Sequence, residues 1–441
     1  MTRAGVASLA GWHGVLLALA FLLQACAVDP LHARRAAATA AAAQDRALVC
    51  AQADACAVAS PYRDLAQRAQ AESSDAAPVH YVNLVERGAD SLLLRLHLIR
   101  SAQHSIDLQT FIFARDDAGY LILDELIRAA QRGVTVRVLM DAIGARDGLA
   151  TLGPQLRAAG VEVVAVMPLR LWGHNAARFD LRNHRKIAVI DGAIAYFGSQ
   201  NIVVSDANRG LTNEELAVRT TGPIVRHLDA VLLADRFLET DTLPREVDLG
   251  TPWPDASGGG GLAQVLPSGP GYSEGTAEAV MVALMYGASA RIVLTAPYVV
   301  PSAAFLAAMC TAARRGVAVT LVVDKSSNKP IVQLAQASYY DEMLAAGVRV
   351  LQHTGSFLHA KHLSVDDDTV LIGSSNLDIR SFALNAEISV LIRDRSVAAK
   401  LAEIQVRDLA NAEPVTIEAR AALSRFRRAL ENLARLTDAV L

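Results

Sequence analysis

Apolar, β-branched runs separated by short polar turns recur twice along this chain with the same spacing. Ile187 to Ile190 and Ala193 to Phe197 flank Asp191-Gly192, and His362 to Val365 and Thr369 to Ile372 flank Asp366-Asp367-Asp368. Each pattern predicts a β-hairpin. Upstream of each, Arg128 to Asp141 aligns without gaps to Thr311 to Asp324, sharing Ala, Ala, Arg, Gly, Val, Val and Asp. Both segments read as the end of a helix, a Gly stop and a buried strand of Val and Leu. Ala158-Ala159-Gly160-Val161 likewise matches Ala345-Ala346-Gly347-Val348. Strands alternating with helical stretches in two matching units predict an α/β fold of two tandem repeats.

The pattern breaks between Asp241 and Gly261, which holds three prolines and ends in four consecutive glycines, a composition that propagates neither helix nor strand. This places a linker at 241–261 between a first repeat at 78–240 and a second at 262–412. After it, Leu423, Phe426, Leu430, Leu433 and Leu436 recur at steps of three to four among Arg420, Arg425, Arg427, Arg428 and Arg435. Residues 413–441 therefore read as an amphipathic, basic helix that packs on the protein's core or docks on anionic lipid headgroups, with packing preferred. At the other end, Arg3 precedes an apolar stretch, densest from Val15 to Leu23, that is followed by Gln24-Ala25-Cys26. Residues 1–26 read as a signal whose cleavage would leave Cys26 for lipidation, or as an uncleaved anchor. Residues 27–77 read as an Ala-rich tether. It carries Cys50 and Cys56, which form a small disulfide loop or remain free thiols. Cys310 lies in an apolar helical run and reads as a buried small hydrophobe.

With 441 residues and 52% apolar content the chain has material for two cores. Its net charge of -3 gives no overall basic field, which weighs against a nuclease. No cysteine grouping has zinc-ligand spacing.

The chemistry is in the hairpins. His184-Arg185-Lys186, Asp191 and Gly198-Ser199-Gln200-Asn201 recur as His359-Ala360-Lys361, Asp366 and Gly373-Ser374-Ser375-Asn376, with every interval preserved. Alternation puts His184 with Lys186, and His359 with Lys361, on one face. Tight turns would set His184 opposite Ser199 and His359 opposite Ser374. An imidazole can act as nucleophile or proton donor at neutral pH, while Lys, Ser and Asn stabilise charge on phosphate oxygens, so phosphoryl chemistry needs no metal or other cofactor here. Asp191 and Asp366 complete the motif in the candidate catalytic set, though their place in the turns reads as support for the hairpin. Asn213 to Val218 lines up with Asn385 to Val390, so Glu215 and Glu387 fall at matching places. Each is a candidate acceptor for a histidine Nδ1–H, or an ordinary strand glutamate. Glu214 has no acidic counterpart at 386 and is the weaker candidate.

These paired motifs resemble the phospholipase D superfamily, over about residues 80 to 412. Within it, Leu181 to Lys186, Thr295 to Pro301 and Gly373 to Phe382 are most similar to bacterial cardiolipin synthases. The resemblance implies two phospholipase D-like repeats packed as a pseudo-twofold pair, with one site of two histidines, two lysines and two asparagines at their interface. It implies an acidic residue behind each histidine. It further implies a phosphatidyltransferase that joins two phosphatidylglycerols into cardiolipin and glycerol through a phosphatidyl-histidine. His184 is the expected nucleophile and His359 the expected proton donor. Lys186, Lys361, Asn201, Asn376, Ser199 and Ser374 are the expected phosphate ligands. Transfer to water or another alcohol stays open, and so does a non-catalytic lipid-binding module, against which the two complete half-sites argue. The expected partners are a phospholipid substrate and a membrane surface, with no nucleic acid. The expected location is a lipoprotein anchored to a membrane and facing the periplasm, or the inner membrane through an uncleaved anchor.

Overall fold

The computed structural model describes residues 57–74, 78–169, 180–208, 210–243, 262–272, 275–326 and 329–438. The signal, Cys26, Cys50, Cys56 and most of the 241–261 linker lie outside the described residues.

The first repeat runs α1 (Pro61–Glu72), β1 (Tyr81–Arg87), α2 (Gly88–Ser101), β2 (Ser105–Thr110), α3 (Asp117–Gln131), β3 (Thr135–Asp141), α4 (Arg146–Thr151), α5 (Gly153–Ala158), β4 (Glu162–Val166), β5 (Ile187–Ile190), β6 (Ile194–Gly198), β7 (Asn213–Thr221) and α6 (Ile224–Thr240). The second runs β8 (Leu262–Ser268), α7 (Thr276–Gly287), β9 (Arg291–Ala296), β10 (Val299–Val300), α8 (Ala303–Arg314), β11 (Ala318–Asp324), α9 (Pro330–Ala337), α10 (Tyr340–Ala345), β12 (Arg349–His353), β13 (Phe357–Leu358), β14 (His362–Val365), β15 (Thr369–Gly373), β16 (Leu377–Asp378), α11 (Ile379–Ala383), β17 (Glu387–Arg393) and α12 (Arg395–Ala410). Then β18 (Ala412–Pro414), α13 (Ile417–Ala421) and α14 (Arg425–Arg435) close the chain.

The duplication in sequence is a duplication in topology. One sheet has the order β1-β7-β6-β5-β2-β3-β4, and the other β8-β17-β15-β14-β9-β11-β12 with β18 added at the edge. The aligned helix-Gly-strand segments fold alike. Asp116 caps α3 by accepting from Gly119 N at 2.9 Å, and Ser302 caps α8 by accepting from Phe305 N at 3.1 Å. Gly133 and Gly316, each with φ 94°, end those helices before β3 and β11.

Each sheet buries its outer face under its own helices. The inner faces share one core, in which Phe197, Val218 and Leu228 pack in a single cluster with Ile372, Ile388 and Leu401. This explains strands that are apolar on both faces, and it fixes the two repeats against each other.

Three expectations change. The region read as tether to residue 77 contains α1, capped by Ser60 and anchored through buried Ala66 and Ala69. The hairpin loops span three residues, so Ile190 pairs with Ile194 and Val365 with Thr369, shifting the ladder one residue from the tight-turn expectation. The C-terminal segment is two helices, because Ser424 starts a new N-cap three residues beyond Ala421.

Candidate active site

Each histidine lies just before a hairpin strand, and its backbone is hydrogen-bonded to the opposite repeat. His184 N donates to Ala386 O at 2.8 Å, and Ala386 N returns a bond to Arg182 O at 2.9 Å. In the mirrored position, β13 adds to β7, and His359 N donates to Glu214 O at 2.8 Å. The side chains follow the same crossing. His184 Nδ1 lies 2.9 Å from Glu387 Oε2, and His359 Nδ1 lies 2.9 Å from Glu215 Oε2. Each motif imidazole is therefore oriented by the carboxylate of the other half. With Nδ1–H donated to a carboxylate, Nε2 carries the lone pair.

The motif glycines make this approach possible. A Cβ on Gly198 would lie 2.4 Å from Leu216 O, and one on Gly373 would lie 2.1 Å from Ile388 O. Both positions touch the strands that carry the glutamates.

Lys186 Nζ donates to His184 O at 2.5 Å, and Lys361 Nζ to His359 O at 2.6 Å. Asn201 Oδ1 accepts from Ile112 N at 3.2 Å, and Asn376 Nδ2 donates to Tyr298 Oη at 2.9 Å. Both asparagines face a cavity of about 330 Å³ that both histidines line. The serines do not join them. Ser199 Oγ donates to Glu215, and Ser374 Oγ donates to Glu387 at 2.5 Å, with both serines fully buried. Their expected role as phosphate ligands becomes one of fixing the glutamates, a consequence of the one-residue register shift. Asp191 and Asp366 stand apart from the cavity. Asp191 accepts from the backbone N–H groups of Gln103, His104 and Ser105, and Asp366 from those of Ser289, Ala290 and Arg291. They tie each hairpin turn to the entry of β2 or β9 and touch no reacting group. Glu214 contributes its carbonyl rather than its carboxylate.

Burial holds the His184 imidazole down at about 4, against the upward pull of Glu387. Burial also lowers His359, again opposed by its glutamate. It draws Lys186 to about 7 and Lys361 to about 8. Glu215 and Glu387 resist the upward push of burial, because the facing imidazoles, the lysines and the serine hydroxyls hold both below the usual carboxylate range.

Several contributors carried no separate signal in sequence. The Phe111 ring stands edge-on to His184 at 4.8 Å. Lys329 Nζ lies 3.1 Å from Tyr298 Oη, and burial lowers the lysine's pKa. A second lobe of about 440 Å³ opens beside His184, lined by Arg182, Lys329 and Arg380 together with Asp378, Tyr298 and Asn376. Arg182 and Arg380 fall within the segments that carry the family resemblance, whereas Lys329 lies outside them. Arg185, the middle residue of the first motif, is fully buried. Its Nε donates to Glu387 O at 3.0 Å, one terminal nitrogen donates to Ser268 O at 2.7 Å, and the other is paired with Asp235. Its counterpart Ala360 offers no such brace.

A pseudo-twofold pair of α/β repeats, each giving one His and one Asn to a shared cavity and one buried Lys bonded to the backbone of that His, defines a phosphodiester-processing site of the phospholipase D class. Residues 96–235 and 281–408 match the family described as cardiolipin synthase, PLD-like domain. Cardiolipin synthase A of Yersinia pseudotuberculosis serotype O:1b (strain IP 31758) is 34% identical over 356 residues, covering 79% of this chain and 72% of that one. Cardiolipin synthase A of Proteus mirabilis (strain HI4320) is 35% identical over 345 residues, covering 76% and 71%. Among solved structures, phosphatidylserine synthase of Haemophilus influenzae Rd KW20 superposes with a TM-score of 0.63 at 15% identity, covering 82% of this chain and 95% of that one. Polyphosphate kinase from Porphyromonas gingivalis superposes at 0.54 and 18% identity, covering 81% and 54%. The chain belongs to the phospholipase D-like cardiolipin synthase family; the two solved structures share its fold.

Proposed function

We propose that this protein is a cardiolipin synthase-type phosphatidyltransferase that converts two phosphatidylglycerols into cardiolipin and glycerol. The observation that carries the reading is the crossed pairing of His184 with Glu387 and His359 with Glu215, which supports two differently employed imidazoles facing one cavity. The neutral His184 Nε2 attacks the phosphorus of the first phosphatidylglycerol, forming an N–P bond as the bond to the glycerol oxygen breaks. His359, protonated when the phosphodiester anion counteracts its burial, gives its Nε2 proton to that oxygen. In the second half, His359 takes the proton of a glycerol hydroxyl on another phosphatidylglycerol. That oxygen attacks the phosphorus, the N–P bond breaks and cardiolipin forms. Lys186, Lys361, Asn201 and Asn376 neutralise and orient the non-bridging oxygens, supplying the charge that a metal supplies elsewhere.

Burial lowers both imidazoles, so each can be unprotonated as a nucleophile must be, and the attack is assigned to His184 by the family resemblance. The lobe lined by Arg182, Lys329 and Arg380 favours an anionic lipid acceptor over water or a cationic alcohol. We place the enzyme at a membrane surface, where its substrate resides, held through Cys26 or an uncleaved anchor. Loss of lipid labelling in Cys26→Ser tests the first of these.

The function is tested with purified protein and labelled phosphatidylglycerol as the only lipid, resolving products by mass spectrometry, with His184→Ala as control. Cardiolipin plus free glycerol, both absent in the variant, is the expected result. Phosphatidic acid alone makes the protein a hydrolase, and unchanged activity in His184→Ala removes the mechanism.

A further inference from the structure

The C-terminal helix α14 leaves most of its apolar residues outside. An amphipathic helix on a soluble core normally turns its apolar stripe inward, yet here Glu431 and Ala434 are the buried residues and Leu430 is half-buried. Glu431, the only acidic residue of α14, is 2% exposed and pairs with Arg420 at 2.9 Å and Arg427 at 3.1 Å. Just past the helix, Tyr339 donates to Asp438, and the Arg435 guanidinium stacks 4.1 Å from the Tyr339 ring centroid. Phe426, Leu433 and Leu436 point the other way and are 73%, 61% and 81% exposed. With exposed Ala429 between them, they follow a three-four-three spacing along one face. Exposed Arg425 and Arg428 lie beside that face, Arg428 with one guanidinium nitrogen donated to Arg420 O at 2.8 Å, while the helix's one carboxylate is neutralised within the protein.

The position of the stripe matters as much as its polarity. Ala434 packs in the same core cluster as Val332 and Ala335 of α9. The first turn of α9 also presents Ile331, 47% exposed, and Val332 to the cavity lobe beside His184. One short helix thus joins the apolar stripe to the rim of the reaction site. No helix among the described residues is long and apolar enough to cross a membrane, so a contact made here lies in the headgroup plane.

We infer that α14 is an interfacial docking element. Phe426, Leu433 and Leu436 insert among the acyl chains of a bilayer that contains anionic phospholipid, with the flanking arginines at the headgroups. This orients the His184 lobe toward the membrane that holds its substrate, and in that respect it rests on the proposed function. Isolated exposed leucines are common on protein surfaces. An aligned apolar stripe framed by arginines, with the same helix's acid turned inward, is the composition of a surface-seeking helix.

The test uses the full chain and a Leu433→Trp variant, reading its emission minus that of the parent, with vesicles of phosphatidylglycerol and phosphatidylcholine carrying brominated acyl chains. The expected result is difference emission typical of water without vesicles, then blue-shifted and quenched when they are added, and markedly less so with phosphatidylcholine alone. A Phe426→Asp/Leu433→Asp variant is then expected to turn over phosphatidylglycerol in vesicles about tenfold more slowly, and in detergent micelles at the parent rate. Emission that vesicles do not change overturns the inference. So does emission already blue-shifted and unquenchable before vesicles are added, which means that another part of this chain or a second copy covers the stripe. Equal loss of turnover in vesicles and micelles also overturns it, by giving α14 a structural role. Absence of turnover by the parent in both formats counts against the proposed function, while the quenching readout still decides the docking.

Discussion

Replacing Glu387 with Gln removes one negative charge and almost no volume from beside His184. The carboxylate accepts from His184 Nδ1 at 2.9 Å, Ser374 Oγ at 2.5 Å and Ser381 Oγ at 3.1 Å. A glutamine oxygen still accepts the imidazole N–H, so the nucleophile keeps its tautomer and the fold its contacts. What disappears is the charge facing the ring as phosphorylation at Nε2 makes it cationic. A hydrogen bond to a charged group contributes about 1.5–3 kcal/mol, so the attacking step should slow by roughly 10- to 150-fold. Rapid-quench measurement of the covalent lipid-enzyme species reads that step directly. Glu215→Gln should slow the same overall reaction by weakening His359 as the proton donor. A phosphatidyl ester with a nitrophenol leaving group needs no donor, so it should rescue Glu215→Gln and leave Glu387→Gln slow. Rescue of Glu387→Gln instead would reverse the two histidine roles. A Glu387→Gln enzyme within twofold of the parent would refute the argument that this carboxylate stabilises the cationic ring.

Further expectations follow from the same geometry. The proton donor His359, lowered by burial, starts the alkaline fall in kcat/KM, and Lys186 near 7 and Lys361 near 8, which must be protonated to hold the phosphate, should steepen it as pH rises through that range. His184, at about 4, is neutral above that pH and limits only the acid side; Lys186→Arg should move the alkaline limb upward in a pH-rate profile. Arg185→Met leaves Asp235 and two buried carbonyls without their cation and should cost about 3–5 kcal/mol in denaturant unfolding. Gly373→Ala forces a Cβ toward Ile388 O, displacing β17, and should lower kcat and stability together. Asp191→Ala should lower the unfolding midpoint, while the folded enzyme keeps its kcat.

The duplicated spacing of His, Lys, Gly, Ser and Asn gave away both the repeated topology and the two half-sites, because a fixed interval along a hairpin becomes a fixed position in space. The helix-Gly-strand segments were readable for the same local reason. Which glutamate serves which histidine was not legible, since the pairing crosses between residues 203 and 144 positions apart and depends on how the sheets meet. The serines were misplaced by a single residue of loop length, enough to turn a side chain to the other face. Lys329 and the bracing role of Arg185 left no trace in periodicity. The C-terminal stripe reads as amphipathic with packing on the core preferred, yet Phe426, Leu433 and Leu436 are exposed, because periodicity fixes only which residues share a face. The partners of Glu431 and Asp438 determine that the side carrying Glu431 and Ala434 is the one that packs inward.

The measurement that bears most directly on the mechanism is intact and peptide mass spectrometry of the enzyme quenched during turnover of phosphatidylglycerol. A phosphatidyl adduct on the peptide containing His184, absent in His184→Ala and consumed as cardiolipin appears, is the predicted result. An adduct on His359, or cardiolipin formed at full rate with no adduct on either histidine, would contradict it.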